Sequence, residues 1–153
     1  MADLKPILLV EDNPNDIELT LAALEESQLA NEVAICRDGA DALDFLYRRG
    51  AYAGREALDP TVVLLDLKLP KVDGLEVLAA IKSDPLLRVI PIVMLTASRE
   101  ESDLVRSYEL GVNAFVVKPV GFRAFLDAIR DLGVFWAVLN EAPPGRFPRS
   151  GGR

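Results

Sequence analysis

Histidine is absent from this 153-residue chain, and cysteine occurs once, as Cys36. Without histidine, Ser-His-Asp and Cys-His catalysis, histidine metal sites and a phosphohistidine on this chain are all excluded. A single cysteine excludes an internal disulfide and a thiolate metal cluster. Basic residues are the minority: 17 Lys and Arg stand against 24 Asp and Glu, for a net charge of −7. With a pI near 4.6, that balance argues against nucleic-acid backbone or anionic membrane as a partner. Long apolar runs are missing too, since no stretch approaches the ~20 residues of a membrane span. Charges at Asp3 and Lys5 precede only four apolar residues, unlike a signal peptide. A cytoplasmic protein is expected. What remains is 50% hydrophobic and 27% charged, which suits one globular domain with its own core.

Four short apolar runs each end on a polar or charged group. Ile7-Leu8-Leu9-Val10 ends on Glu11-Asp12, Val62-Val63-Leu64-Leu65 on Asp66, Ile92-Val93-Met94-Leu95 on Thr96, and Ala114-Phe115-Val116-Val117 on Lys118-Pro119. Continuous Val, Ile and Leu mark strands covered on both faces, as in a parallel sheet. A weaker strand, Glu32 to Cys36, is expected near an edge. Helices are predicted between the strands. The first starts at Pro14 behind an Asn13 N-cap and ends near Leu29. The second carries Ala42, Leu43, Phe45 and Leu46, and loop follows from Gly50 to Pro60. The third follows Asp73-Gly74, with Leu75, Leu78 and Ile81 inward. The fourth spans Ser102 to Leu110, stopped by Gly111. The fifth runs from about Phe122 to Leu139. Residues 1–140 are expected to form the domain and 141–153, rich in Pro and Gly, a flexible tail.

Strand-helix repetition with short connections predicts an α/β fold with a doubly wound parallel sheet. Five strands favour the flavodoxin-like (βα)5 order 2-1-3-4-5. Its switch point lies between strands 1 and 3, which sets Glu11 and Asp12 beside Asp66. One acid at a strand end is ordinarily a solvated cap. Three facing one crevice raise each other's pKa unless a cation is present, and a hard divalent ion, Mg²⁺, is the economical choice. An ionised Asp66 can attack phosphorus and form an acyl phosphate. Mg²⁺ would meet one phosphoryl oxygen, the Lys118 ammonium a second, and the Thr96 hydroxyl with the Ala97 backbone N–H the third. Taken singly, Thr96 suits an N-cap and Lys118 a surface charge. Their shared place at strand ends favours the chemical reading.

Glu11-Asp12, Asp66, Thr96-Ala97 and Lys118-Pro119, with Leu69-Pro70 and Asp73-Gly74 between, occur in the order and at the intervals of a known family. From about residue 6 to 135 the chain resembles the CheY-like receiver domain of two-component response regulators. The resemblance implies phosphorylation of Asp66 by a sensor histidine kinase. It implies Mg²⁺ held by Asp12 and Asp66, with Glu11 assisting and the Lys68 backbone carbonyl as a further ligand. It also implies a switch in which Phe115 follows Thr96, and a cis Lys118–Pro119 bond. Softer features, Asp44-Phe45-Leu46-Tyr47, the insert from Arg49 to Pro60, Ser107-Tyr108 and Phe135-Trp136, are similar to the small regulators paired with phytochrome kinases. The chain ends soon after the last helix, so output through protein contacts or a downstream phosphotransfer protein is expected.

Alternatives are a receiver-fold adaptor for another kinase and a phosphatase with an aspartate nucleophile. A haloacid-dehalogenase phosphatase needs a second Asp two residues after the nucleophile, where Lys68 stands. A flavodoxin would have to cradle a phosphate in the acidic loop from Glu11 to Asp16. The last helix is richer in apolar residues than one sheet face can cover, so a homodimer through Phe135, Trp136 and Leu139 is expected.

Overall fold

A computed structural model of the chain describes residues 5–27, 31–55, 59–107, 112 and 114–132. Its strands are β1 (Ile7–Val10), β2 (Val33–Cys36), β3 (Val62–Asp66), β4 (Ile92–Thr96) and β5 (Ala114–Val117). They form one sheet in the order β2-β1-β3-β4-β5, and every neighbouring pair is parallel. The expected strand order is the observed one. Five helices alternate with them: α1 (Pro14–Glu26), α2 (Gly39–Tyr47), α3 (Gly74–Ser83), α4 (Arg99–Ser107) and α5 (Phe122–Leu132).

Strand residues alternate between two cores because successive side chains leave a strand on opposite faces. Leu8, Val10, Val63, Leu65, Ile92 and Met94 pack with α2 and α3 on one side. Ile7, Leu9, Val62, Leu64, Val93 and Leu95 pack with α1 and α5 on the other. Each fully buried Leu or Ile of this kind contributes about 1.5–3 kcal/mol. On β2 the residues Val33, Ala34 and Ile35 are only half-buried, as befits an edge strand.

Caps fix where the helices begin. The Asn13 side chain accepts from Asp16 N–H at 3.0 Å and Pro14 opens α1. Asp38 accepts from Asp41 N–H at 2.7 Å at the start of α2. Asp73 and Glu76 form a reciprocal capping box on α3, and such caps stabilise a helix by about 1 kcal/mol each. Two glycines permit close approach here. A Cβ on Gly74 would lie 2.3 Å from the Asp66 carbonyl oxygen, and one on Gly39 would overlap the Val72 carbonyl. The starts of α2 and α3 therefore press directly on the loop that follows β3.

Three boundaries differ from expectation. The first helix closes at Ser27, whose hydroxyl bonds the Ala23 carbonyl at 2.9 Å. The fourth begins at Arg99 rather than Ser102, because Ser98 Oγ accepts from Glu101 N–H at 3.2 Å and starts a polar first turn. The segment after Arg49 contains a 3-10 turn, Gly50–Tyr52. Its Tyr52 ring meets Phe45 edge-on at 5.2 Å, and the Arg55 guanidinium lies 4.2 Å over the other side chain of that pair, Phe45. Along the described part of α5, Phe125, Ala128 and Ile129 are buried on the sheet. Phe135, Trp136, Leu139 and the segment 141–153 lie outside the described residues, as do Leu29, Leu110 and Gly111. Among the described residues no helix is long and apolar enough to cross a membrane.

Candidate functional site

The register of β1 on β3 pairs Val10 with Leu65, so Glu11 and Asp66 are the next residues along both strands. One carboxylate oxygen from each of Glu11, Asp12 and Asp66 lies within 4.8 Å of the others. Glu11 is fully buried and Asp66 is 4% exposed, whereas Asp12 is open to solvent. The cluster thus has a dry floor and an open mouth.

Lys118 reaches this cluster from the end of β5. Its Nζ lies 3.3 Å from Glu11 Oε1, 3.0 Å from Asp16 Oδ2 and 3.2 Å from Asp66 Oδ2. Burial works against the ammonium charge, but the carboxylates of Asp16, Asp66 and Glu11 outweigh it and hold the group protonated. The Lys118–Pro119 peptide bond is cis. Even so, one ammonium is paired with three carboxylates, and a fourth, that of Asp12, stands beside them. Burial, then the bond and charge of Asp66, push Glu11 up to about 7. A surplus of hard anionic oxygens against one cation is the donor set that suits Mg²⁺, and these residues fit that ion.

At the end of β4 the polar groups are engaged differently. Thr96 is fully buried and its Oγ1 pairs with Ser102 Oγ at 3.0 Å. Ala97 N–H donates to Glu101 Oε1 at 2.8 Å. The other oxygen of Glu101 lies 3.4 Å from Lys68 Nζ. The Ala97 N–H and, less strongly, Lys68 hold the Glu101 carboxyl below its usual range against the effect of burial. Backbone N–H of Lys68 approaches Asp66 Oδ1 at 3.4 Å. Phe115 is half-buried on β5 against the α2–α3 core and lines a cavity of about 360 Å³ with Arg99, Ser102 and Asp103 of α4.

Glu11, Asp12, Asp66 and Lys118 therefore converge, while Thr96 and Ala97 face the first turn of α4. Asp16, Ser102 and Glu101 were not among the residues expected at the site. Asp16 had a signal, being an acid in the first turn of a helix that starts at the carboxyl edge of the sheet.

Residues 7–130 match the response regulator receiver domain. This chain is a response regulator receiver. It is similar to the response regulator Rcp1 of Synechocystis, 42% identical over 139 residues that cover 91% of this chain and 93% of Rcp1. A solved Mn²⁺-bound form of Rcp1 superposes with a TM-score of 0.71 at 40% identity, covering 92% of this chain and 99% of that one. The bacteriophytochrome response regulator AtBRR gives a TM-score of 0.87 at 70% identity, over 92% of this chain and 100% of its own. The phosphorylated cyanobacterial phytochrome response regulator RcpA gives 0.71 at 42% identity, over 93% and 99%. The resemblance to phytochrome-associated receivers drawn from the motifs is the one these relatives bear out.

Proposed function

We propose that this receiver accepts a phosphoryl group on Asp66 from a sensor histidine kinase of the phytochrome type, in a Mg²⁺-dependent reaction. The single observation that carries the reading is the contact of Asp66 with Lys118 beside the carboxylates of Glu11 and Asp12. An Asp66 carboxylate oxygen attacks the phosphorus of a phosphohistidine. The new O–P bond forms as the P–N bond breaks, and the imidazole nitrogen leaves with the electron pair. Lys118 follows its carboxylate partner and pairs with a phosphoryl oxygen. Thr96 Oγ1 and the Ala97 N–H are the donors for another oxygen, and Phe115 follows the movement of Thr96. Glu11, Asp12, Asp66 and the Lys68 carbonyl would hold Mg²⁺, which when bound supplies charge neutralisation for the incoming group. The phytochrome assignment is supported by the likeness to Rcp1, AtBRR and RcpA. Output passes through protein contacts or an onward phosphorelay.

Purified protein with Mg²⁺ and acetyl phosphate should gain one phosphoryl group that is labile in alkali, and Asp66→Asn should gain none. Equal labelling of the variant refutes the assignment of Asp66. Phosphotransfer from purified phytochrome kinases should outpace transfer from other sensor kinases. The reverse order refutes the phytochrome pairing while leaving Asp66 in place.

A further inference from the structure

Two capping arrangements in this chain begin alike and end differently. On α3, Glu76 Oε1 accepts from the backbone N–H of the N-cap Asp73 at 3.3 Å, three residues back. On α4, Glu101 donates its own N–H to Ser98 Oγ in the same spacing, but its carboxylate reaches one residue further, to the Ala97 N–H at 2.8 Å. That N–H is the donor which the reading above reserves for a phosphoryl oxygen. Across the crevice Lys68 Nζ holds the second Glu101 oxygen at 3.4 Å. The neighbouring residue, Ser102, engages the Thr96 hydroxyl at 3.0 Å. Both donors of the β4 end are thus occupied by consecutive residues of one helical turn.

We infer that Glu101 is a resident anion that occupies the phosphoryl-oxygen position in the unphosphorylated protein, pinned by Lys68, and that the incoming phosphoryl group must expel it. The inference rests on the assignment of Asp66 as acceptor and deepens it. One N–H cannot serve a carboxylate and a phosphoryl group together, and two anions at contact distance repel. Expulsion of Glu101 detaches the first turn of α4 from Ala97. The same residue therefore weakens phosphoryl binding and ties that binding to α4. Glu101 is a positioning residue, acting through the Ala97 N–H.

Beryllofluoride, a phosphoryl mimic, tests this on the full chain in the presence of Mg²⁺, with affinity read by calorimetry. Removing a competing charge-assisted hydrogen bond should tighten binding by about 5- to 10-fold in Glu101→Ala. Glu101→Gln keeps an acceptor without the charge and should fall between Glu101→Ala and the wild type. Mg²⁺ affinity should stay the same in both variants, which separates displacement of Glu101 from a general change in the site. If the wild type binds beryllofluoride and neither variant binds it more tightly, the inference is overturned while Asp66 keeps its role. If no protein binds it and Asp66→Asn behaves like the wild type, the acceptor assignment fails and takes the inference with it.

Discussion

The two halves of the carboxyl edge of the sheet differ in how well their polar groups are satisfied. At β1 and β3, Glu11, Asp16 and Asp66 share the ammonium of Lys118, and Asp12 adds a fourth carboxylate beside them. At β4, Thr96 and Ala97 each have a partner of matching chemistry on α4. The first half is left with negative charge that a proton on Glu11 or another cation relieves. In the second, both groups are already hydrogen-bonded. Under the proposed function, a phosphoryl group on Asp66 would add to one half and would have to displace the Glu101 contact of the other.

The sharpest way to break the contrast is to remove the shared cation. Lys118→Met keeps the apolar stem and deletes the charge. It should slow labelling by acetyl phosphate by roughly 10²- to 10³-fold, the scale of losing one preorganised oxyanion partner. A loss under tenfold would show that the acidic half does not depend on Lys118.

Next in size is the pH dependence of the metal-free protein. Folded Glu11 keeps its proton up to about 7, whereas its ordinary value is 4.5. Between those values the folded state binds more protons than the unfolded one, so raising the pH favours unfolding. The contribution of Glu11 should be fully present near pH 4 and lost by pH 8, amounting to roughly 1–3 kcal/mol. Urea unfolding in a chelator, compared between wild type and Glu11→Gln, isolates it. A parallel pH profile for the two proteins would count against a strained acidic half.

The smallest effect concerns the exposed member of the cluster. Asp12→Asn removes one hard anionic ligand and should weaken Mg²⁺ binding by about tenfold or more, with slower labelling to match. Metal-free stability should hold or rise, because one repulsion is gone. An unchanged Mg²⁺ titration would place the cation elsewhere.

Most of the acidic half was legible in the sequence. Apolar runs that end on Glu11, Asp66, Thr96 and Lys118 declare both strand type and strand end, and the strand order follows from packing and crossover rules. The β4 half was legible only in its strand residues. Arg99, Glu100 and Glu101 carry no apolar periodicity, and the first buried aliphatic residue of α4 is Val105, so pattern alone set the helix start three residues late. Glu101 and Ser102 were invisible for a related reason. Ser98 and Glu101 have the spacing of a helix cap, but the importance of Glu101 and Ser102 lies in where that turn meets the end of β4, which the spacing does not encode. The stacking of Tyr52 and Arg55 on Phe45 escaped notice likewise, since it joins a loop to a helix face by tertiary contact.

Cys36 sits at the end of β2, fully buried, with its sulfur 3.9 Å from the Tyr52 hydroxyl, which donates to Asp41 at 2.9 Å. Burial, and then the charge of Asp41, push the thiol up to about 12. At neutral pH it is neither thiolate nor reachable, and thiol reagents act on the thiolate. The protein is therefore a ready host for a single reporter. A cysteine introduced at the exposed Leu104, which lines the crevice between α4 and the loop after β3, would take a fluorophore or spin label alone, with the native sulfur silent. A change in the surroundings of α4 on addition of acetyl phosphate and Mg²⁺ could then be followed in real time.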